Sequence, residues 1–429
     1  MVLLFLLLQG VLGDCGNLNY QVEGECVHKS LWPPESTEIF GYILAFLAAN
    51  LANATGIGGG GIHVPILILV MRFTAHSAIP LSKALILGGA IVAVLLNIKK
   101  KHPDHNKPLI DFDVIVILQP VLLAGTFIGV LLNKSFPEVL ILAMLILLLA
   151  FITRKTLLKG INLYKKETEL NYRPPRLEEV SVRVGEDRQL STEEVEMVQR
   201  SNLIPENTID SSDEVVVKRT NMWPRKEAVV LLGTTYLAMV LVALAKGGEG
   251  VESIVGLEQC SVAYWGLLLA FLSFCGGASW VGRGISEVEW SPKDAVKYLG
   301  VGLLGGIASG LLGIGGGLVM APLLLEIGLA PEAASATSSL LVMFTSSSTT
   351  LQFLVHGMLK MDYAGLLFGI SMLASCTGIF FINSLIKKYN RSSIIVFALA
   401  TAIGISTVLL PVFELSTIDF SKQSFSSLC

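Results

Sequence analysis

The stretch Gly56-Ile57-Gly58-Gly59-Gly60-Gly61-Ile62-His63-Val64-Pro65 returns as Gly313-Ile314-Gly315-Gly316-Gly317-Leu318-Val319-Met320-Ala321-Pro322, with the same spacing from first glycine to proline. Each copy interrupts an otherwise apolar helix, because consecutive glycines favour a turn over a regular helix interior. Glycine-broken hydrophobic segments at corresponding places in two halves of a membrane protein point to a carrier's substrate site. The pair therefore predicts a carrier of a small ion.

Composition supports a membrane setting. Apolar residues make up 52% of the chain, charged residues 15%, and mean hydropathy is +0.67. Crossing a hydrocarbon core of about 30 Å at 1.5 Å per residue takes roughly 20 residues. Spans are expected near 82–98, 113–132, 138–153, 228–246, 261–281, 338–356, 362–385 and 392–412. The net charge of −3 averages these spans with one very polar loop and identifies no partner.

The rest of the chain divides around those spans. Residues 1–13 are short and apolar and end in Val11-Leu12-Gly13, as a cleaved signal peptide does; they lack a Lys or Arg, which keeps an uncleaved anchor or a truncated gene model open. Residues 14–38 form a short extracytosolic segment whose Cys15 and Cys26 either pair in an oxidising lumen or stand as unrelated thiols. An N-terminal transmembrane repeat, 39–158, precedes a polar stretch, 159–227, read as a cytosolic disordered linker. Its Ser211-Ser212-Asp213-Glu214 is a solvated segment or an acidic phosphorylation site. Two additional transmembrane helices occupy 228–281, a C-terminal repeat 297–412, and a tail 413–429.

Basic residues near span ends set the orientation. Lys99-Lys100-Lys101, Arg154-Lys155, Arg225-Lys226 and Lys387-Lys388 should share the cytoplasmic side. One ordinary span over 39–71 would put the Lys99 cluster and the linker outside. The conflict disappears when 39–54 and 62–71 are two half-length helices, about 24 and 15 Å long, joined by the glycine turn in a hairpin that returns to its own side. The same counting sends a hairpin at 297–328 in from the cytoplasm. The expected fold is thus all-α and polytopic, with two inverted repeats that each carry a glycine-broken re-entrant hairpin. Cys15, Cys26, Cys260 and Cys429 then lie outside, and Cys275 and Cys376 pack within spans. The sequon Asn133-Lys134-Ser135 hugs the membrane too closely for glycosylation, while Asn53-Ala54-Thr55 and Asn390-Arg391-Ser392 are shielded by topology.

Unpaired backbone N–H and C=O groups are not tolerated against lipid, so a helix broken at mid-membrane must line protein or water. Glycines admit positive φ and close approach, and the N-terminus of the next half-helix offers free N–H groups with partial positive charge. That geometry suits an anion. Close packing of small residues is the competing role for single glycine runs, but duplication favours a site. The candidate residues are Gly56, Gly58, Gly59, Gly60, Gly61 and Pro65 in one copy, and Gly313, Gly315, Gly316, Gly317 and Pro322 in the other. The following helices add Ser82 and Lys83, and Thr337, Ser338 and Ser339. Their hydroxyls cap those helices or donate to an oxyanion. Lys83 neutralises substrate charge or, the favoured expectation, snorkels to the interface. His63 bonds a neighbouring helix or, less expectedly, meets substrate. Opposite His63 and Lys83 the second copy carries Met320 and Leu340, so the half-sites are chemically unequal.

The repeated Gly-Ile-Gly-Gly-Gly…Pro pattern, with Leu81-Ser82-Lys83 and Ala334-Ser335-Ala336-Thr337 following, resembles the TauE/SafE family of membrane anion exporters, more narrowly its long plant-type branch. The resemblance covers roughly 40–158 and 228–412. It implies transport of sulfite, sulfonates or related organosulfur oxyanions across a membrane, and the signal peptide routes the chain into the secretory system, to the plasma membrane or an endomembrane.

Other classes fit less well. The spans hold almost no carboxylates in their middles, Glu326 lying near the end of its half-helix, so a carboxylate proton relay has no obvious member. Outward movement of a monovalent anion is driven by an inside-negative potential, which makes uniport or channel-like export a real option. An enzyme is not expected, because no Ser/His or Asp/Asp pair stands at helical spacing in the spans. Neither a cofactor, a metal nor a nucleic-acid partner is expected; the partners are a small anionic substrate and the bilayer. A non-transporting receptor or trafficking scaffold is the rival, disfavoured by two intact glycine motifs.

Overall fold

The computed structural model describes residues 19–22, 25–28, 31–54, 56, 58–100, 108–172, 225–286, 291–389 and 393–417. Among them the fold is all-α apart from one small hairpin of β1 (Asn19–Val22) and β2 (Glu25–His28), antiparallel with Gln21 opposite Cys26. The expected signal peptide, the Cys15–Cys26 pairing, most of the linker and the end of the tail lie outside the described residues.

The first half builds α1 (Ser36–Ala54), α2 (Gly60–Leu69), α3 (Ala75–Asn97), α4 (Phe112–Ser135) and α5 (Glu138–Tyr172). Two helices follow, α6 (Lys226–Lys246) and α7 (Val262–Ile285). The second half builds α8 (Pro292–Leu312), α9 (Gly317–Glu326), α10 (Pro331–Val355), α11 (Met361–Tyr389) and α12 (Ser393–Thr417). Local chemistry sets several starts. Asp111 caps α4 by accepting from Asp113 and Val114 nitrogens at 3.0 and 3.2 Å, and Ser261 caps α7 through the Tyr264 nitrogen. Pro292 and Pro331 open α8 and α10, where a missing N–H does no harm.

Among the described residues six helices are long and apolar enough to cross a membrane: α3, α4, the first part of α5 (138–162), α6, α7 and α8. Two boundaries differ from the sequence reading. Helix α5 continues past 158 to Tyr172, since a polar composition does not stop a helix that lacks a breaker. The first arms of the glycine hairpins are not half-length: α1 has 19 residues and α8 has 21. Only the second arms, α2 and α9, are short, with 10 residues each or about 15 Å.

Each short arm folds back along its long partner. Met71, just past α2, packs on Gly41 near the start of α1, and a Cβ on Gly59 would meet Ala52 near the end of α1. Lys297 in the first turns of α8 pairs with Glu326 at the end of α9, Nζ to Oε1 2.6 Å. The two hairpins open toward opposite ends of the bundle. Tyr363 at the start of α11 donates to Glu38 at the start of α1 and stacks edge-on against Phe73 at 5.0 Å, while the Ala75 nitrogen donates to Glu138. At the other end the Asp111 nitrogen donates to Thr337, and Arg225 reaches the Ile285 carbonyl.

Glycines bring α8 against α4. A Cβ on Gly125 would lie 2.9 Å from Gly306 Cα, and one on Gly129 would lie 2.9 Å from the Leu311 nitrogen, so the backbones touch where two small-xxx-small faces cross. Helix α1 packs on α11 as α8 packs on α4, while α5 packs on α12 and α3 on α10. Cys275 is a buried packing residue as expected, but Cys376 is free and exposed on α11. Cys260, in the turn before α7, is disulfide-bonded.

Candidate functional site

The two glycine turns meet at the centre. Gly56, Gly58, Gly59 and Gly313 all have positive φ, between 68° and 84°, which L side chains rarely adopt. Gly60 lies directly on the other turn: a Cβ there would meet the Gly313 carbonyl oxygen and stand 2.6 Å from both the Gly315 nitrogen and Ile314 Cα. Gly58 approaches Gly315 Cα and Ile86, Gly316 faces Thr345, and Gly61 packs beside Leu318. Pro65 and Pro322 lie inside α2 and α9.

Side chains from each half hold the turn of the other. Ser82 on α3 donates to the Ile79 carbonyl at 2.7 Å and to Gly313 at 3.1 Å. Lys83 Nζ donates to the Ile314 carbonyl at 2.9 Å and to Ser309 Oγ at 2.7 Å. From α10, Ser338 donates to the Gly56 carbonyl at 2.9 Å. Turn carbonyls that a broken helix leaves unpaired thus find partners across the interface between halves. Lys83 is wholly buried, so the expectation of snorkelling is wrong. Its stem points to the protein centre, where carbonyl acceptors wait, and not to an aqueous boundary.

A narrow pocket lies between the first turn, α3 and α10, lined by Asn53, Gly56, Gly58, Ala90, Ala93, Ser339 and Val342. Ser339 faces it while donating to the Ser335 carbonyl. Thr337 is directed elsewhere, its hydroxyl accepting from the Asp111 nitrogen at 2.9 Å. His63 does not bond a neighbouring helix: it is fully buried against Gly59 and Ala52, and neither ring nitrogen has a hydrogen-bond partner. Asn53 was legible only as a sequon. Its amide instead contacts Ser371 Oγ at 3.4 Å and fills the space beside Gly89, a placement no local pattern announces. The Asn133 amide is likewise buried, donating to the Leu311 carbonyl at 2.7 Å, so that sequon is not presented to solvent.

A polytopic helical membrane protein with two broken helices joined at its centre is what these contacts define. The family model described as Sulfite exporter TauE/SafE matches residues 42–185 and 298–419, the two stretches that carry the glycine hairpins and the helices after them. Sulfite exporter TauE/SafE family protein 3 of Arabidopsis thaliana is 31% identical over 91% of this chain and 82% of its own length. Family protein 2 of the same plant is 32% identical over 87% of this chain and 82% of its own. No solved structure matches. The chain belongs to the TauE/SafE family of membrane transporters.

Proposed function

We propose that the chain moves small oxyanions of the sulfite and organosulfonate class across a membrane of the secretory system, with the anion bound where the two glycine turns meet. The observation that carries this reading is the cross-bracing of the turns by Ser82, Lys83 and Ser338. It holds two interrupted helices at fixed separation beside a pocket lined by glycine backbone. A lysine buried against the second turn favours an anion over a cation. Two inverted repeats account for hairpins that open to opposite ends, and for the matching of α1 on α11 with α8 on α4. An inside-negative potential contributes about 2.3 kcal/mol per charge per 100 mV toward export, which suffices without a proton relay.

Sulfite flux in liposomes tests the site. Gly59→Val puts a β-branched residue at φ +68° with Ala52 and His63 in its way, and flux should fall to background in protein that still inserts. Gly316→Val has more space, its nearest neighbour being Thr345 Oγ1 at 3.2 Å from the new Cβ, and flux should fall several-fold. Unchanged flux in both removes the turns from the mechanism. Orientation is tested separately: a cysteine at Lys100 should react with impermeant reagents only from the cytosol. Labelling from outside overturns the inverted topology.

A further inference from the structure

One face of α10 is polar along its length. Thr345 abuts Gly316; one turn on, Ser348 lies 2.9 Å from Thr126 Oγ1, and Gln352 donates to both Ser348 and Thr126 at 3.0 and 3.3 Å. His356 follows at the helix end. Positions 345, 348, 352 and 356 fall on one helical face, and all four side chains are buried. The stripe runs from the second glycine turn to the end of the bundle where α6 finishes.

A cation waits there. Lys246, the last residue of α6, is 3% exposed, with Nζ 4.2 Å from the Tyr264 ring centroid and 5.6 Å from that of Phe127. Among the described residues no carboxylate pairs with it; the nearby Glu249 is held by Lys134 at 2.9 Å. Aromatic faces offset only part of the cost of removing an ammonium from water. His356 is 9% exposed and its Nδ1 has no hydrogen-bond partner. The loop after Lys246 lies against the end of α10: Gly250 and Val251 nitrogens donate to the Val355 carbonyl, and Gly248 sits against His356 Nδ1.

We infer that Lys246 and His356 form a second anion site at the extracytosolic end, an exit station joined to the glycine turns by the Thr345–Ser348–Gln352 stripe. It takes the same small oxyanions, and in this it rests on the transport reading. A cation without a carboxylate, an unpartnered imidazole nitrogen and a chain of hydroxyls suit an anion in transit and suit neither a metal nor an apolar ligand.

Equilibrium binding of sulfite to the full-length protein in nanodiscs tests the site. Wild type should bind two ions per chain. Lys246→Met should bind one, Lys246→Arg two, and His356→Gln should weaken one site about tenfold. Gly59→Val should lose the other ion instead. Two undiminished sites in both Lys246→Met and His356→Gln overturn the inference, giving Lys246 a purely structural role against the rings. A single wild-type ion lost only in Gly59→Val also overturns it while sparing the turn site. A single ion lost only in Lys246→Met supports the outer site and overturns the turn site.

Discussion

Gly60→Ala is expected to reduce sulfite flux to background although it adds a single methyl group. At most core positions an added methyl is accommodated by side-chain movement and costs about 1–3 kcal/mol. Around Gly60 the nearest atoms are all backbone: the Gly313 carbonyl, the Ile314 Cα and the Gly315 nitrogen. None can rotate away, so the second turn must shift as a unit. The shift pulls on the bonds that Ser82 and Lys83 make to Gly313 and Ile314. Because each half braces the turn of the other, one methyl disturbs both. Gly276→Ala is the control: its new Cβ meets nothing within 4 Å on the outer face of α7, and it should leave flux and thermal stability where they are. Flux from Gly60→Ala close to that of the control would mean that contact between the turns is dispensable.

The glycine hairpins were legible because their signal is local: a run of glycines, a proline at fixed distance and a duplication. Basic clusters then lead to the expectation of opposite directions for the hairpins. What the chain did not announce is the partner of each side chain. Ser82 and Ser338 read as helix-start hydroxyls of their own halves, yet each bonds the turn of the opposite half, a relation between residues more than 200 positions apart. Lys83 near the start of a membrane helix reads as an interfacial lysine, because sequence alone does not show that α3 begins at one end and turns this face toward the centre. Asn53 and the polar stripe of α10 escaped for the same reason: serine and threonine in a membrane helix commonly bond their own backbone, as Ser346 and Thr349 do here. Only the placement of α4 and α6 beside α10 separates the residues that do more.

Lys83→Met is expected to raise the sulfite concentration for half-maximal flux at least tenfold while the protein stays folded. Sterically the change is mild, since the corresponding position of the second half is Leu340 and Met fills nearly the same length. Chemically it is large. Lys83 has two neutral acceptors, Ser309 Oγ and the Ile314 carbonyl, and no carboxylate among the described residues pairs with it. A bound anion would be the counter-charge that the ammonium form of Lys83 does not find in the protein. A unit charge on the order of 7 Å from a bound monoanion contributes about 2 kcal/mol at an effective dielectric of about 20, enough for more than a tenfold change in affinity. The alternative is that Lys83 only clamps the second turn. Lys83→Gln separates the two, because its amide can still donate toward Ile314 and Ser309 but carries no charge. If Gln restores flux at low sulfite, the clamp is the whole role; if Gln behaves as Met does, the charge itself draws the anion to the turns.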